Sequence, residues 1–248
     1  AATSELLTSG GLYINIHTPA NPSGEVRGQI LTANYALMTF QMEGSQEVPA
    51  VSTMASGDGY MLVDTNSLSA ELVALTPGFE AATMAHIHAG RIGSNGSVLV
   101  ALEQSLDDAN VWNSPDEFVL DVATFEVLAA GGHYVNVHTP NNPSGELRGQ
   151  ILTNEYVLAT FPLQGSQEAP AVSTSATGDG YALINTDTFS VEIKLLTDGV
   201  MNATMAHIHA GRIGTNGDVL VALEQASDNP NIWILQPTLQ LTLTFLRN

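Results

Sequence analysis

The residues most able to do chemistry in this sequence are its histidines. There are seven, and six fall into pairs separated by a constant 121 positions: His17 with His138, His86 with His207, and His88 with His209. His133 is the exception, since Leu12 stands in its place. Four of the six form "AHIHAG" motifs (85–90 and 206–211), and the other two close "YINIH" (13–17) and "YVNVH" (134–138). In an extended strand alternate side chains share a face. His86 and His88 then lie together opposite Ile87, and Tyr134, Asn136 and His138 lie opposite Val135 and Val137. The aliphatic residues belong in a core, which turns the histidines to the outer surface of the sheet. Two imidazoles at i and i+2, joined by a third from a neighbouring strand, make a three-nitrogen metal site with an open position. Imidazole suits copper and zinc, and copper stands first in affinity. The expected sites are His86, His88 and His138, and equivalently His207, His209 and His17, for about two ions per chain. Met84 and Met205 precede each pair on the same face and are candidate additional thioether ligands.

Surface H-x-H pairs on strands commonly bind nothing, so the spacing needs support. Residues 86–104 match 207–225 at 17 of 19 positions, whereas 105–127 match 226–248 at 4 of 23. A uniformly drifting duplication would not concentrate its identity around the histidines. Part of that identity answers to backbone needs, because "GRIGSNG" and "NPSGE" require glycine in tight turns.

The elements that must carry these residues read as strands. "GDGYMLVDT", "GDGYALINT" and "SVEIKLL" alternate, and Gly, Pro, Asn and Ser clusters interrupt at short intervals. No helix is expected, with 114–131 the most ambiguous stretch. A 121-residue period is a whole domain rather than a solenoid repeat. The expected fold is all-β: two antiparallel, Greek-key-like sandwich domains.

At "EGSQEVPAVST", "MAHIHAGRIGSNGSVLVAL" and "GGHYVNVHTPNNPSGELRGQI" the chain resembles the CHRD domain, a module widespread in secreted proteins. The resemblance covers nearly the whole chain. A fainter one is to Cu,Zn superoxide dismutase, whose fold it also implies. That likeness would place His86, His88 and His138 at copper-ligand positions and Arg148 near the arginine that guides substrate. The sequence departs from that family in having no further histidine per unit for a bridged zinc and no cysteine pair.

Charge narrows the partners. Twenty-five acidic residues against six basic ones give a net charge of −19, which opposes nucleic acid and anionic membrane surfaces. No apolar run approaches the ~20 residues of a membrane-spanning helix, so no membrane insertion is expected. Cysteine is absent, which excludes disulfides and thiolate metal sites. The "AATSE" start is compatible with a mature secreted terminus, and a secreted, extracellular or cell-surface location is expected. There is no nucleophile elbow or phosphate loop. Arg148 and its equivalent Arg27 should point outward, either to guide an anion or, as favoured here, to pair with a carboxylate such as Glu146 or Asp107.

The repeat phase suggests assembly. "GGLYINIHTPANPSGEVRGQIL" (10–31) reappears as "GGHYVNVHTPNNPSGELRGQIL" (131–152), where it closes a unit. The expected division is a terminal hairpin at 1–33, a complete unit at 34–154, and a unit at 155–248 lacking its last hairpin. The linkers "ANY" (34–36) and "NEY" (155–157) are alike, implying equal geometry at both junctions. The hairpin would then complete the second unit of another copy, with Ile14, Ile16, Val26 and Ile30 facing inward. Two function classes remain. One is a secreted structural subunit that forms a head-to-tail homopolymer. The other is a self-closed, two-domain copper redox enzyme.

Overall fold

The structure is a computed structural model that describes residues 11–79 and 81–235. Its elements are almost all strands, and every strand pairing is antiparallel. The first two, β1 (Leu12–Ile16) and β2 (Val26–Ile30), form a hairpin that is a sheet by itself.

Unit one follows. It contains β3 (Tyr35–Glu43), β4 (Ser56–Asp64), β5 (Ala70–Leu75), β6 (Met84–Ala89), β7 (Val98–Gln104), β8 (Val111–Asn113), β9 (His133–His138) and β10 (Leu147–Gln150). These close into a barrel in the order β10-β3-β4-β5-β8-β7-β6-β9. Period-2 patterning explains the core. Met38, Phe40 and Met42 on β3, Met61 and Val63 on β4, and Ala70, Leu72 and Ala74 on β5 are all buried. The hairpin β9–β10 closes the cylinder, adding Val135, Val137, Leu147 and Ile151 to the same core. The all-β antiparallel class is as the sequence implies, and in unit one the sheets join into a closed barrel.

One element departs from the sequence reading. Residues Val122–Ala129 form a helix, α1, inside the ambiguous stretch. Asp121 caps it, its carboxylate accepting from the Thr124 backbone N–H at 2.7 Å. Such a cap satisfies one of the orphan donors of the first turn. The β-branched Val122, Thr124 and Val127 obscure the helical signal, because they favour strands.

Unit two contains β11 (Tyr156–Gln164), β12 (Thr177–Asn185), β13 (Val191–Asp198), β14 (Ala206–His209), β15 (Val219–Gln225) and β16 (Ile232–Ile234). Among the described residues it is an open six-stranded sheet, ordered β11-β12-β13-β16-β15-β14. Its edges, β11 and β14, are the repeat equivalents of β3 and β6, which in unit one flank the closing hairpin.

The two units meet in a small apolar joint. Ile92 packs with Tyr181 and Leu183, all 2% exposed or less. Tyr181 Oη donates to the Glu47 carbonyl at 2.6 Å, and Arg91 Nη2 lies 2.6 Å from a Glu192 carboxylate oxygen. The two linkers make equivalent backbone hydrogen bonds. Thr65 N–H donates to Asn34 O at 2.8 Å, and Thr186 N–H to Glu155 O at 2.6 Å.

Candidate metal centre

Strand β6 supplies two histidines and β9 the third. Their register sets Met84 opposite His138, His86 opposite Asn136, and His88 opposite Tyr134. His138 is thus a diagonal neighbour of His86, within reach of a long ring across the strands. His86 Nδ1 lies 3.0 Å from His138 Nε2. One ligand atom from each of His86, His88 and His138 lies within 4.8 Å of the others.

Two of the rings are oriented from behind by backbone carbonyls. His88 Nδ1 bonds the Gly96 carbonyl at 3.0 Å, and His138 Nδ1 bonds the Pro143 carbonyl at 3.1 Å. A carbonyl only accepts, so each Nδ1 carries the proton and each Nε2 keeps its lone pair. Such outer hydrogen bonds fix the tautomer of a metal-ligating histidine. The Nε2 of His88 is buried and has no hydrogen-bond partner. A buried acceptor without a partner costs free energy that a bound cation would recover. The Gly96 turn has no freedom here: a Cβ on Gly96 would lie 1.4 Å from the Ala89 carbonyl oxygen.

Electrostatics favours neutral rings. Burial, with His88 nearby, holds His86 below the ordinary imidazole range. Burial likewise lowers His88 and His138, against the opposing effect of their carbonyl hydrogen bonds. Neutral imidazole is the metal-binding form.

The support continues behind the site. His88 stacks on Tyr134, ring centroids 5.0 Å apart, and the Arg148 guanidinium lies over the Tyr134 ring, 3.6 Å from its centroid. Arg148 was expected on an outer, exposed face. It is instead 1% exposed. Its guanidinium donates to the carbonyls of Ser94 and Arg91 and to Gln150 Oε1, each at 2.9 Å. The expected carboxylate partner Glu146 is engaged elsewhere, accepting from Thr53, Thr139 and Asn142. Alternation along the strand correctly excludes Arg148 from the barrel core, but the 91–94 loop and unit two cover the face on which it emerges.

Sequence reasoning did not single out Glu47. Its carboxylate accepts two bonds from Asn136 Nδ2, at 2.9 and 3.1 Å. Burial pushes its pKa up to about 7, with the Arg148 charge and the Asn136 bond pulling the other way. The available signal was the recurrence of "GSQE" at 44–47 and 165–168.

The remaining histidines are not brought together. The His207 and His209 rings lie 5.8 Å apart on β14, with His209 held at 2.9 Å from the Gly217 carbonyl. The exposed His17, with Nδ1 3.0 Å from the Pro22 carbonyl, belongs to β1–β2 and joins neither site. On the hairpin Arg27 stacks over Tyr13 at 3.5 Å, as Arg148 does over Tyr134. Ile14, Ile16 and Val26 are 61%, 56% and 57% exposed. Met84 and Met205 are exposed, at 49% and 70%.

Comparison with known proteins places these motifs. The CHRD domain model matches residues 1–30, 38–151 and 159–244. The chain belongs to the CHRD domain family. It is similar to chordin of Danio rerio, 30% identical over 184 residues covering 68% of this chain and 19% of that protein. It is also similar to chordin of Xenopus laevis, 28% identical over 160 residues, 59% of this chain and 17% of that protein. The CHRD chain thus spans under one fifth of the length of these relatives. No solved structure matches it. Among the described residues no helix is long and apolar enough to cross a membrane.

Proposed function

We propose that this chain is an extracellular structural subunit that assembles head-to-tail with copies of itself and carries three-histidine metal centres, one per completed unit. The observation that carries the assembly is the state of the β1–β2 hairpin. It repeats the sequence pattern and strand register of β9–β10, yet among the described residues it forms a separate sheet with Ile14, Ile16 and Val26 more than half exposed. Among the described residues unit two has the complementary open edges, β11 and β14, whose equivalents β3 and β6 the hairpin bridges in unit one. Added strands satisfy edge backbone groups and fill core pockets, a recognised binding mode. Each aliphatic side chain so buried contributes roughly 1.5–3 kcal/mol before ordering costs. A self-closed enzyme would need the hairpin to pair with its own unit two; among the described residues its strands pair with each other.

In each completed unit His86, His88 and His138, or His207, His209 and a donated His17, would hold the ion. Copper is preferred, with zinc the alternative, because affinity at nitrogen sites follows the Irving–Williams order. Three imidazoles leave room for a further ligand. Placement outside the cell is supported by CHRD membership.

The test is removal of residues 1–33 from the chain. Sedimentation should show large, concentration-dependent assemblies for the intact protein and a monomer for the truncated one. A synthetic 1–33 peptide should cap growth. A truncated chain that still assembles would overturn hairpin donation.

A further inference from the structure

The joint between the two units of one chain is built from residues that the repeat duplicates on both free ends of the molecule. On the unit-one side it uses Glu47, Arg91 and Ile92; on the unit-two side it uses Tyr181, Leu183 and Glu192. Shifted by the 121-residue period, the first set becomes Glu168, Arg212 and Ile213 of unit two. The second set becomes Tyr60, Leu62 and Glu71 of unit one. Every residue type is the same, so each molecule carries an unused plug at one end and an unused socket at the other.

Their burial shows what is missing. Ile92 is 2% exposed in the internal joint, while Ile213 is 104% exposed. Tyr181 is 1% exposed, while Tyr60 is 41%. The charges are complementary, since Arg212 and Glu71 repeat the Arg91–Glu192 ion pair. The hairpin already stands near this socket in the repeated way. The positive charge of Arg27 acts on Tyr60, as that of Arg148 acts on Tyr181.

We infer that copies of this chain dock through this face, Arg212 and Ile213 of one copy seating against Tyr60, Leu62 and Glu71 of the next. The inference rests on the head-to-tail reading above and adds to the donated hairpin a second contact that sets the angle between successive subunits. The two faces differ, so the contact is heterologous and each docked copy leaves a free face at either end. The angle would repeat that between unit one and unit two.

Charge reversal in the full chain tests this, followed by sedimentation velocity over a concentration series. Like charges across an interface are costly, so Arg212→Glu and Glu71→Arg should each weaken assembly about tenfold or more. An equimolar mixture of the two variants should recover it. In an alternating chain every Arg212→Glu face meets a Glu71→Arg face, and every remaining joint is native. Ile213→Asp, at a position fully exposed in the monomer, should abolish assembly and leave the circular dichroism spectrum unchanged. Assembly indifferent to all three substitutions, but lost on removal of 1–33, overturns the docking face and leaves hairpin donation standing. Assembly that survives removal of 1–33 and keeps its charge dependence does the reverse. Intact protein that stays monomeric at every concentration overturns both.

Discussion

The two hairpins of this chain match at 17 of 22 positions, 10–31 against 131–152, and differ in everything that depends on surroundings. In β9–β10, Val135, Val137 and Leu147 are 0% exposed, and Arg148 is 1% exposed. In β1–β2 the equivalent Ile14, Ile16 and Val26 are more than half exposed. Gly149 shows the same contrast: a Cβ there would press within 2.7–2.9 Å of Met42, Gln41 and Phe40, while at Gly28 it would meet nothing within 4 Å. Yet the hairpin register and the arginine–tyrosine stack are the same in both. The local sequence therefore builds the hairpin, and the barrel gives it a use. A preformed hairpin loses less conformational freedom on docking, which favours its transfer between molecules.

The largest contrast should be in metal binding. A dilute monomeric chain should bind about one equivalent of copper at unit one, and assembled protein about two. His88→Ala should abolish binding by the monomer, and His209→Ala should leave it intact. Metal analysis of untagged protein measures this, and equal loss from both substitutions would erase the distinction between the units.

Core truncation comes next. Leu147→Ala should destabilise unit one by about 2–5 kcal/mol, the usual cost of emptying a buried leucine site. The equivalent Val26→Ala should change monomer stability by under about 0.5 kcal/mol, as for other exposed positions. Denaturant titration at low protein concentration would read both. A similar loss at Val26 would mean that the hairpin is already docked.

The arginines should differ less. Arg148→Ala removes the guanidinium bonds to the Ser94 and Arg91 carbonyls and to Gln150 Oε1 and should cost about 1–3 kcal/mol. Arg27→Ala, whose exposed guanidinium bonds the Gln29 side chain and stacks on Tyr13, should be close to neutral in the monomer. A comparable cost at both would locate Arg27 in a joint already formed.

The last contrast should be in pH dependence. Glu47 has a folded pKa of about 7, above its ordinary value of 4.5. The folded state therefore binds more protons than the unfolded state between those values, and stability should fall as pH rises from about 4.5 to 7. The difference is about 2.5 units and each is worth about 1.4 kcal/mol, so the decline should be on the order of 3 kcal/mol. Glu47→Gln should remove this slope in thermal melts across that range. An unchanged slope would show that Glu47 titrates normally and that Arg148 and Asn136 offset its burial.

Sequence alone determined what is local. Alternation set which residues share a face, so the HxH strand and the V-x-V-H strand could be aligned and the core residues assigned. The repeat gave the unit length and the equal linkers. These depend on backbone geometry and on the burial of aliphatic side chains, both written in short windows. It did not determine helix α1, where a capped turn of β-branched residues is held in place by tertiary packing of Leu128. Nor did it determine that Arg148 is buried, that Glu47 lies beneath it, or that the His88 Nε2 is sealed without a partner. An outer face is exposed only until something packs on it, and here the 91–94 loop and a second unit do so. The identical residues Arg27 and Arg148 end in opposite environments because burial belongs to the contact between units, which no local stretch of sequence contains.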